Sequence, residues 1–299
     1  MVNAKQYLMF LDGLSRDHPS LQCLTMWVQC LHNTSQLETA RHVRCMSLQW
    51  TALVQLDLFL GGLDSYTVVS MMGNLHLPSL RDFRLCLAYN YTYDTQNPVH
   101  PELPCPGGFQ SLKHLHLQLG YRIPPSGLQP WIHAGLSSLT NLSIGFTDAP
   151  DNRMVREIAR LVKGSGQTIR ELAMHNIAVN PPRCDSAALR NLSALLCSTH
   201  LEKWVMMQPM DLRDVNLFFH RLPPTVRTLD LRLADITQSH AVVLRPPSFI
   251  VRLCIWVPSV SQHTLPRLGW LACPSSRWKF DSVQRTHQLD EGHWMIREG

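Results

Sequence analysis

Several signatures that would assign a chemistry directly are missing from this sequence. Asp, Glu, Lys and Arg make up only 16% of the 299 residues, and no run of five like charges occurs. A disordered acidic or basic tail is thereby excluded. The net charge of +5 is spread along the chain, which argues against a nucleic-acid arm or an electrostatic membrane patch. No apolar stretch approaches the roughly 18–20 residues of a membrane span. Near the N-terminus only Leu8–Leu11 forms an apolar run, shorter than the core of a signal peptide. The nine cysteines are odd in number and contain no C-x-x-C pair, so neither a disulfide framework nor a zinc ribbon is indicated. They read as reduced, mostly buried small hydrophobes. G-x-S-x-G, H-E-x-x-H, G-x-x-x-x-G-K-[ST] and G-x-G-x-x-G are all absent. The expectation is a chain of the cytoplasm or nucleus with no cofactor, no metal, no nucleic acid and no membrane partner. Sequons at Asn33, Asn90, Asn141 and Asn191 are then chance matches.

What the chain has in quantity is apolar residues, 45% of the total, and they recur in a pattern. One phrase repeats: apolar, two residues, apolar, one residue, apolar. It reads Leu21-Leu24-Met26, Leu53-Leu56-Leu58, Leu80-Phe83-Leu85, Leu112-Leu115-Leu117 and Leu139-Leu142-Ile144. It continues as Ile169-Leu172-Met174, Leu201-Trp204-Met206, Val226-Leu229-Leu231 and Ile250-Leu253-Ile255. The copies start 24 to 32 residues apart, with a mean of about 28.6, within the period of leucine-rich repeats. Trp278 and Phe280, with Ser275 in the first position, read as a degenerate tenth copy. Cys45-Leu48-Trp50 also fits the phrase but lies only eight residues ahead of Leu53, and both cannot begin full repeats.

The last two apolar positions of the phrase fall on one face of a short strand and bury it. The intervening segments return the chain, so that the strands stack in parallel. Three of them have helical periodicity. Asp151 to Lys163 places Met154, Val155, Ile158, Leu161 and Val162 on one face and ends at Gly164. Asp185 or Ser186 caps a second helix, with Leu189, Leu192, Leu195 and Leu196 inward. A third runs from about Asp211 through Val215 and Phe218 to a stop at Pro223-Pro224. Gly164-Ser165-Gly166 reads as a helix-ending turn. Residues 88–108 and 120–131 are rich in proline and read as loops. The expected fold is α/β, a single leucine-rich-repeat solenoid with a parallel sheet on its concave side. Residues 1–20 form an N-terminal cap, 21–255 the irregular repeats and 256–299 a C-terminal cap, where Trp256, Trp270, Trp278 and Trp294 cluster.

Phrases such as LPSLRDFRL, FQSLKHLHL and LSSLTNLSI resemble the repeat region of F-box/leucine-rich-repeat proteins. The likeness is strongest to the fungal, basidiomycete-type group, whose chains often close with a Cys-Pro-Ser phrase and a tryptophan-containing tail. Here these are Cys273-Pro274-Ser275, Trp278 and Trp294. The resemblance implies that the repeats bind a target protein. It also implies that an F-box would dock the chain onto a Skp-type adaptor and cullin of a ubiquitin ligase. Only 20 residues precede Leu21, too few for an F-box. That role is therefore expected only if a longer product supplies one.

A partner would meet the alternate residues of each strand, which point away from the buried face. The candidates are Trp27, Asp57, Phe59, Asp82, Arg84, His114 and His116. They continue with Glu171, His175, Lys203, Met207, Asp230, Arg232, Arg252 and Trp256. For any one of these the plain reading is the solvated face of a sheet. Taken together, their aromatic and arginine anchors favour protein binding. The catalytic alternative places a metal on His114 and His116, with Asp82 or Cys86 as the third ligand. His100-Pro101-Glu102 with Pro104-Cys105 resembles part of a zinc-deaminase pattern, but Gly108 stands where its second cysteine belongs. The expectation is a binding protein, not an enzyme.

Overall fold

Alternating apolar residues make strands here because each strand can bury one face against the segments that follow it. A computed structural model describes residues 4–29, 48–61, 68, 71–87, 108–119, 128–146, 150–165 and 168–176. It also describes residues 185–233, 247–257, 279–281, 286–289 and 292–298. The strands are β1 (Cys23–Gln29), β2 (Leu48–Gln49), β3 (Gln55–Gly61), β4 (Leu75–His76), β5 (Asp82–Leu87), β6 (His114–Leu119) and β7 (Asn141–Phe146). They continue as β8 (Glu171–Asn176), β9 (Lys203–Met210), β10 (Thr228–Leu233), β11 (Arg252–Val257), β12 (Lys279–Asp281), β13 (Thr286–Leu289) and β14 (Gly292–Glu298). The helices are α1 (Ala4–Asp17), α2 (Gln129–His133), α3 (Asn152–Gly164), α4 (Ser186–Leu196) and α5 (Leu212–Phe219).

The fold is α/β and built on parallel sheet. The chain divides into two compact units, Met1–Gly145 with Arg160–Thr168, and Phe146–Ala159 with Ile169–Gly299. In the first, β1, β3, β5, β6 and β7 lie side by side, all parallel. In the second, β8, β9, β10, β11 and β14 do the same. There β13 and then β12 follow β14 in antiparallel order.

The register follows the phrase. Leu24, Leu56, Phe83, Leu115 and Leu142 align across the first unit. Leu172, Trp204, Leu229 and Leu253 align across the second. The third apolar positions align likewise, from Met26 to Ile144 and from Met174 to Ile255. These side chains are buried, except that Leu24 is half-buried; Leu21 and Ile250, the first residues of the first and ninth copies, are half-buried as well.

Backbone hydrogen bonds repeat with the same period. The carbonyls of Gln22, Val54, Arg81 and Lys113 each accept from two consecutive N–H groups of the next copy, at 2.7–3.0 Å. Those of Arg170, Glu202 and Arg227 do the same in the second unit. A turn closes just before the strand in most copies, as in Leu53 N to Trp50 O, Leu80 N to Leu77 O and Leu139 N to Leu136 O.

The competing phrase around Leu48 resolves into a separate feature. β2 pairs with β4 in its own two-stranded parallel ladder, Leu48 opposite Leu75. Each lies five residues ahead of a phrase leucine, Leu53 or Leu80, with a buried Trp50 or Leu77 between. Cys45 lies outside the described residues.

The three expected helices are present. Asp151 Oδ1 accepts from the N–H groups of Arg153 and Met154 at 3.0 and 2.8 Å, and Met154, Val155, Ile158, Leu161 and Val162 are all buried. Asp185 caps α4 through the Ala187 N–H at 2.9 Å. Leu189, Leu192 and Leu196 are buried, whereas Leu195 is only half-buried. Asp211 is the N-cap of α5, whose Val215 and Phe218 are buried. At the end of α3, Ser165 Oγ donates to Val162 O at 2.6 Å. Gly166 is outside the described residues.

Several expectations need correction. Pro130 does not extend a loop: it sits in the first turn of α2, where a missing N–H costs nothing. The N-terminal segment, read only as a cap, carries a 14-residue helix, α1, with Leu11 buried. The strand that follows β11 in register is β14, which sets Trp294 and Ile296 opposite Leu253 and Ile255. Phe280 instead lies in β12, opposite His287 of β13. A short connection returns a strand antiparallel, whereas a parallel partner needs a longer crossover. Trp270, Trp278 and Ser275 lie outside the described residues, as do 88–107, 120–127, Asn33 and Asn90. Of the described cysteines, Cys86 and Cys254 are buried but Cys23 and Cys197 are exposed, and all four are free. Asn141 lies within β7, and Asn191 donates to Asn152 Oδ1 at 2.7 Å.

Aromatic clusters fill both cores. Phe83, Phe109 and Trp131 meet in the first unit, with centroids 5.3 to 6.1 Å apart. In the second unit Trp204 meets Phe218 edge-on at 5.1 Å.

Candidate functional site

Because the strands pair in register, the residues between the buried positions form rows across each sheet. In the first unit one row runs Gln55, Asp82, His114, Asn141; the next runs Thr25, Asp57, Arg84, His116, Ser143. A third runs Trp27, Phe59, Cys86, Gln118. In the second unit Glu171, Lys203, Thr228 and Arg252 form the first row, and Ala173, Val205, Asp230 and Cys254 the next.

Of the fifteen candidate residues, the fourteen with described side chains are all at least partly solvent-accessible. Trp27, Arg84, His114 and Arg252 are exposed. Asp57, Phe59, Asp82, His116, Glu171, His175, Lys203, Met207, Asp230 and Arg232 are half-buried. Trp256 is opposite Arg232 in the backbone pairing, and its side chain is outside the described residues.

Neighbouring strands bring these groups into contact. The Trp27 and Phe59 rings stack with centroids 4.0 Å apart and planes 8° from parallel. Asp57 Oδ2 accepts from Thr25 Oγ1 at 3.3 Å and from Gln55 Nε2 at 3.1 Å. His114 Nδ1 is hydrogen-bonded to Asp82 Oδ1. His116 Nδ1 lies 2.8 Å from Ser143 Oγ. In the second unit Lys203 Nζ donates to Glu171 Oε1 at 2.7 Å.

These contacts bear on the metal alternative. His114 and His116 turn to different partners, Asp82 and Ser143, and Cys86 Sγ donates to Gln118 Oε1 at 3.4 Å. Among the described residues no three of His, Cys, Asp and Glu converge as metal ligands. Burial pushes the Cys86 thiol up to about 11, with Asp57 adding to the rise and Arg84 opposing it. A raised thiol is a poorer source of thiolate than a free cysteine. Burial likewise lowers His175 below its ordinary 6.5, partly offset by Glu171. Residues 100–105 lie outside the described residues.

One row departs from simple counting. The pairing of β9 with β10 shifts between Leu231 and Arg232, so that Pro209 stands opposite Arg232 and Met207 does not. A proline inside a strand was the signal for this irregularity, since it has no N–H to give a ladder. The bulge also carries Gln208, whose side-chain oxygen and nitrogen are both buried and have no hydrogen-bond partner among the described residues.

No protein-family profile matches the chain, and no curated protein matches it. Among the described residues no helix is long and apolar enough to cross a membrane.

Proposed function

We propose that this chain is a leucine-rich-repeat protein whose open sheet face binds another protein, without catalysis. The observation that carries this reading is the two-sided sheet. In each unit one face of the sheet is an apolar core; the other presents Trp27 and Arg84 in the first unit, and Arg252 and the Lys203–Glu171 pair in the second. Aromatic and arginine side chains supply most of the energy at protein interfaces, and repeat sheets offer an extended surface for them. The resemblance to F-box/leucine-rich-repeat proteins makes target recognition for a ubiquitin ligase, in the cytoplasm or nucleus, the preferred form of this role. It requires an F-box, a Skp-type adaptor and a cullin, supplied through a longer product. A repeat-only scaffold or inhibitor is the alternative.

The test is endogenous C-terminal tagging, purification and mass spectrometry of chain and partners. A longer chain with stoichiometric adaptor supports the ligase role; a 299-residue chain with partners but no adaptor supports the scaffold. Arg252→Glu, at an exposed side chain, is expected to weaken partner capture without shifting the thermal midpoint. If every copurifying protein is retained by this variant, the assigned face is wrong. Stoichiometric zinc in carefully purified protein would revive the enzyme reading.

A further inference from the structure

We infer that the Trp27–Phe59 stack, with the Asp57 carboxylate beside it, is a subsite for an arginine side chain of the partner protein. The inference rests on the reading that this face binds a protein, and it names the chemistry at one end of it.

Trp27 is 76% exposed although Phe59 covers one face of its indole. The exposure therefore belongs to the other ring face. An exposed indole face carries the negative side of the ring quadrupole and attracts a cation. Phe59 holds the ring in place, so little side-chain entropy is lost when a ligand stacks on it.

Asp57 supplies the second element. It stands two residues before Phe59 on β3, which makes it a diagonal neighbour of Trp27 on the same face. Diagonal pairs lie roughly 7–8 Å apart, within reach of a long side chain. Thr25 and Gln55 both donate to its Oδ2, and among the described residues it forms no ion pair. Arg84 is its cross-strand neighbour, yet no ion pair joins the two among the described residues. A carboxylate oriented by two neutral donors beside an open aromatic face is complementary to a planar guanidinium, which stacks and donates at once. A lysine ammonium is more strongly hydrated and has no plane to stack. Arg84 repels the incoming cation, so its removal should strengthen binding.

The test pans a random-peptide phage library on the full chain and re-measures the binders on variants. Binders lost on Trp27→Ala are expected to carry arginine at one fixed position. Their affinity should fall roughly three- to ten-fold on Asp57→Asn or on replacing that arginine by neutral citrulline, and should rise on Arg84→Ala. Trp27→Phe should retain part of it. Trp27-dependent binders without an arginine preference, or with one that ignores Asp57, overturn the subsite. Binders that depend on Arg252 but not on Trp27 overturn the subsite and leave the binding face standing. Binders indifferent to every face variant overturn both.

Discussion

Gln208 corresponds in the repeating phrase to Leu60 and Phe146, yet both polar atoms of its amide are buried with no partner among the described residues. An unpartnered buried polar group costs about 1–3 kcal/mol. Gln208→Leu is therefore expected to stabilise the protein by about that amount in urea unfolding, and a lower midpoint would mean that the amide has partners in solution. The cysteines divide by the same logic of burial. Cys197 is exposed, whereas the Cys86 thiol is buried, raised to about 11 and bonded to Gln118. Iodoacetamide at pH 8, followed by peptide mass spectrometry, should label Cys23 and Cys197 first, with Cys86 slower on the order of a hundredfold. Labelling of all three at one rate would place Cys86 in solvent. The alternation of the phrase predicted which residues lie inward; it carried no information on which cysteines of the other strand face, Cys23, Cys86 or Cys254, would be covered.

Helices α3, α4 and α5 are the most legible elements, because each combines a start signal with a 3.6-residue apolar period. In α3, Asp151 accepts from two N–H groups that would otherwise be orphaned. Asp151→Ala should cost about 1 kcal/mol, while Ile158→Ala, on the buried face of the same helix, should cost about 2–5 kcal/mol. Equal losses in paired urea titrations would show that the cap, not the buried face, holds the helix. Elements with fewer residues are less legible. α2 has five residues, too few for a period, and its Pro130 is equally compatible with a loop. β2 and β4 are two residues each and pair only with one another, so no alternation marks them. The bulge in β9 arises from pairing with β10, a relation between strands that a count along one strand cannot contain.

Stability of the folded chain should depend on pH through His175. Burial lowers its proton affinity below the ordinary 6.5, with Glu171 opposing. Below about pH 6.5 the unfolded chain takes up a proton that the folded chain refuses, so stability falls as pH drops. The fall ends once pH passes below the folded value. His175→Gln should flatten this dependence between pH 7.5 and 5.5, whereas an unchanged slope would assign it to other groups. The ion pair Lys203–Glu171 is partly exposed on both sides and contributes little by comparison.

Composition and spacing were enough to determine the α/β class, the parallel strands and the phase of the strand in each of the nine copies. A strand side chain has only two directions, and the phrase repeats too often for its phase to be accidental. That is why Leu56, Phe83, Leu115 and Leu142 fall in one buried row, and why their neighbours Asp57, Arg84, His116 and Ser143 fall in an accessible one. Tertiary structure alone decided what those accessible residues do to each other. Trp27 and Phe59 are 32 positions apart in the sequence and 4.0 Å apart as rings, and Asp82 is hydrogen-bonded to His114 on the next strand. It also decided that β14, reached through an antiparallel excursion, is the parallel neighbour of β11. Periodicity records the local choice between inside and outside; contacts across strands depend on register, bulges and crossover lengths, which are set only when the separate copies pack together.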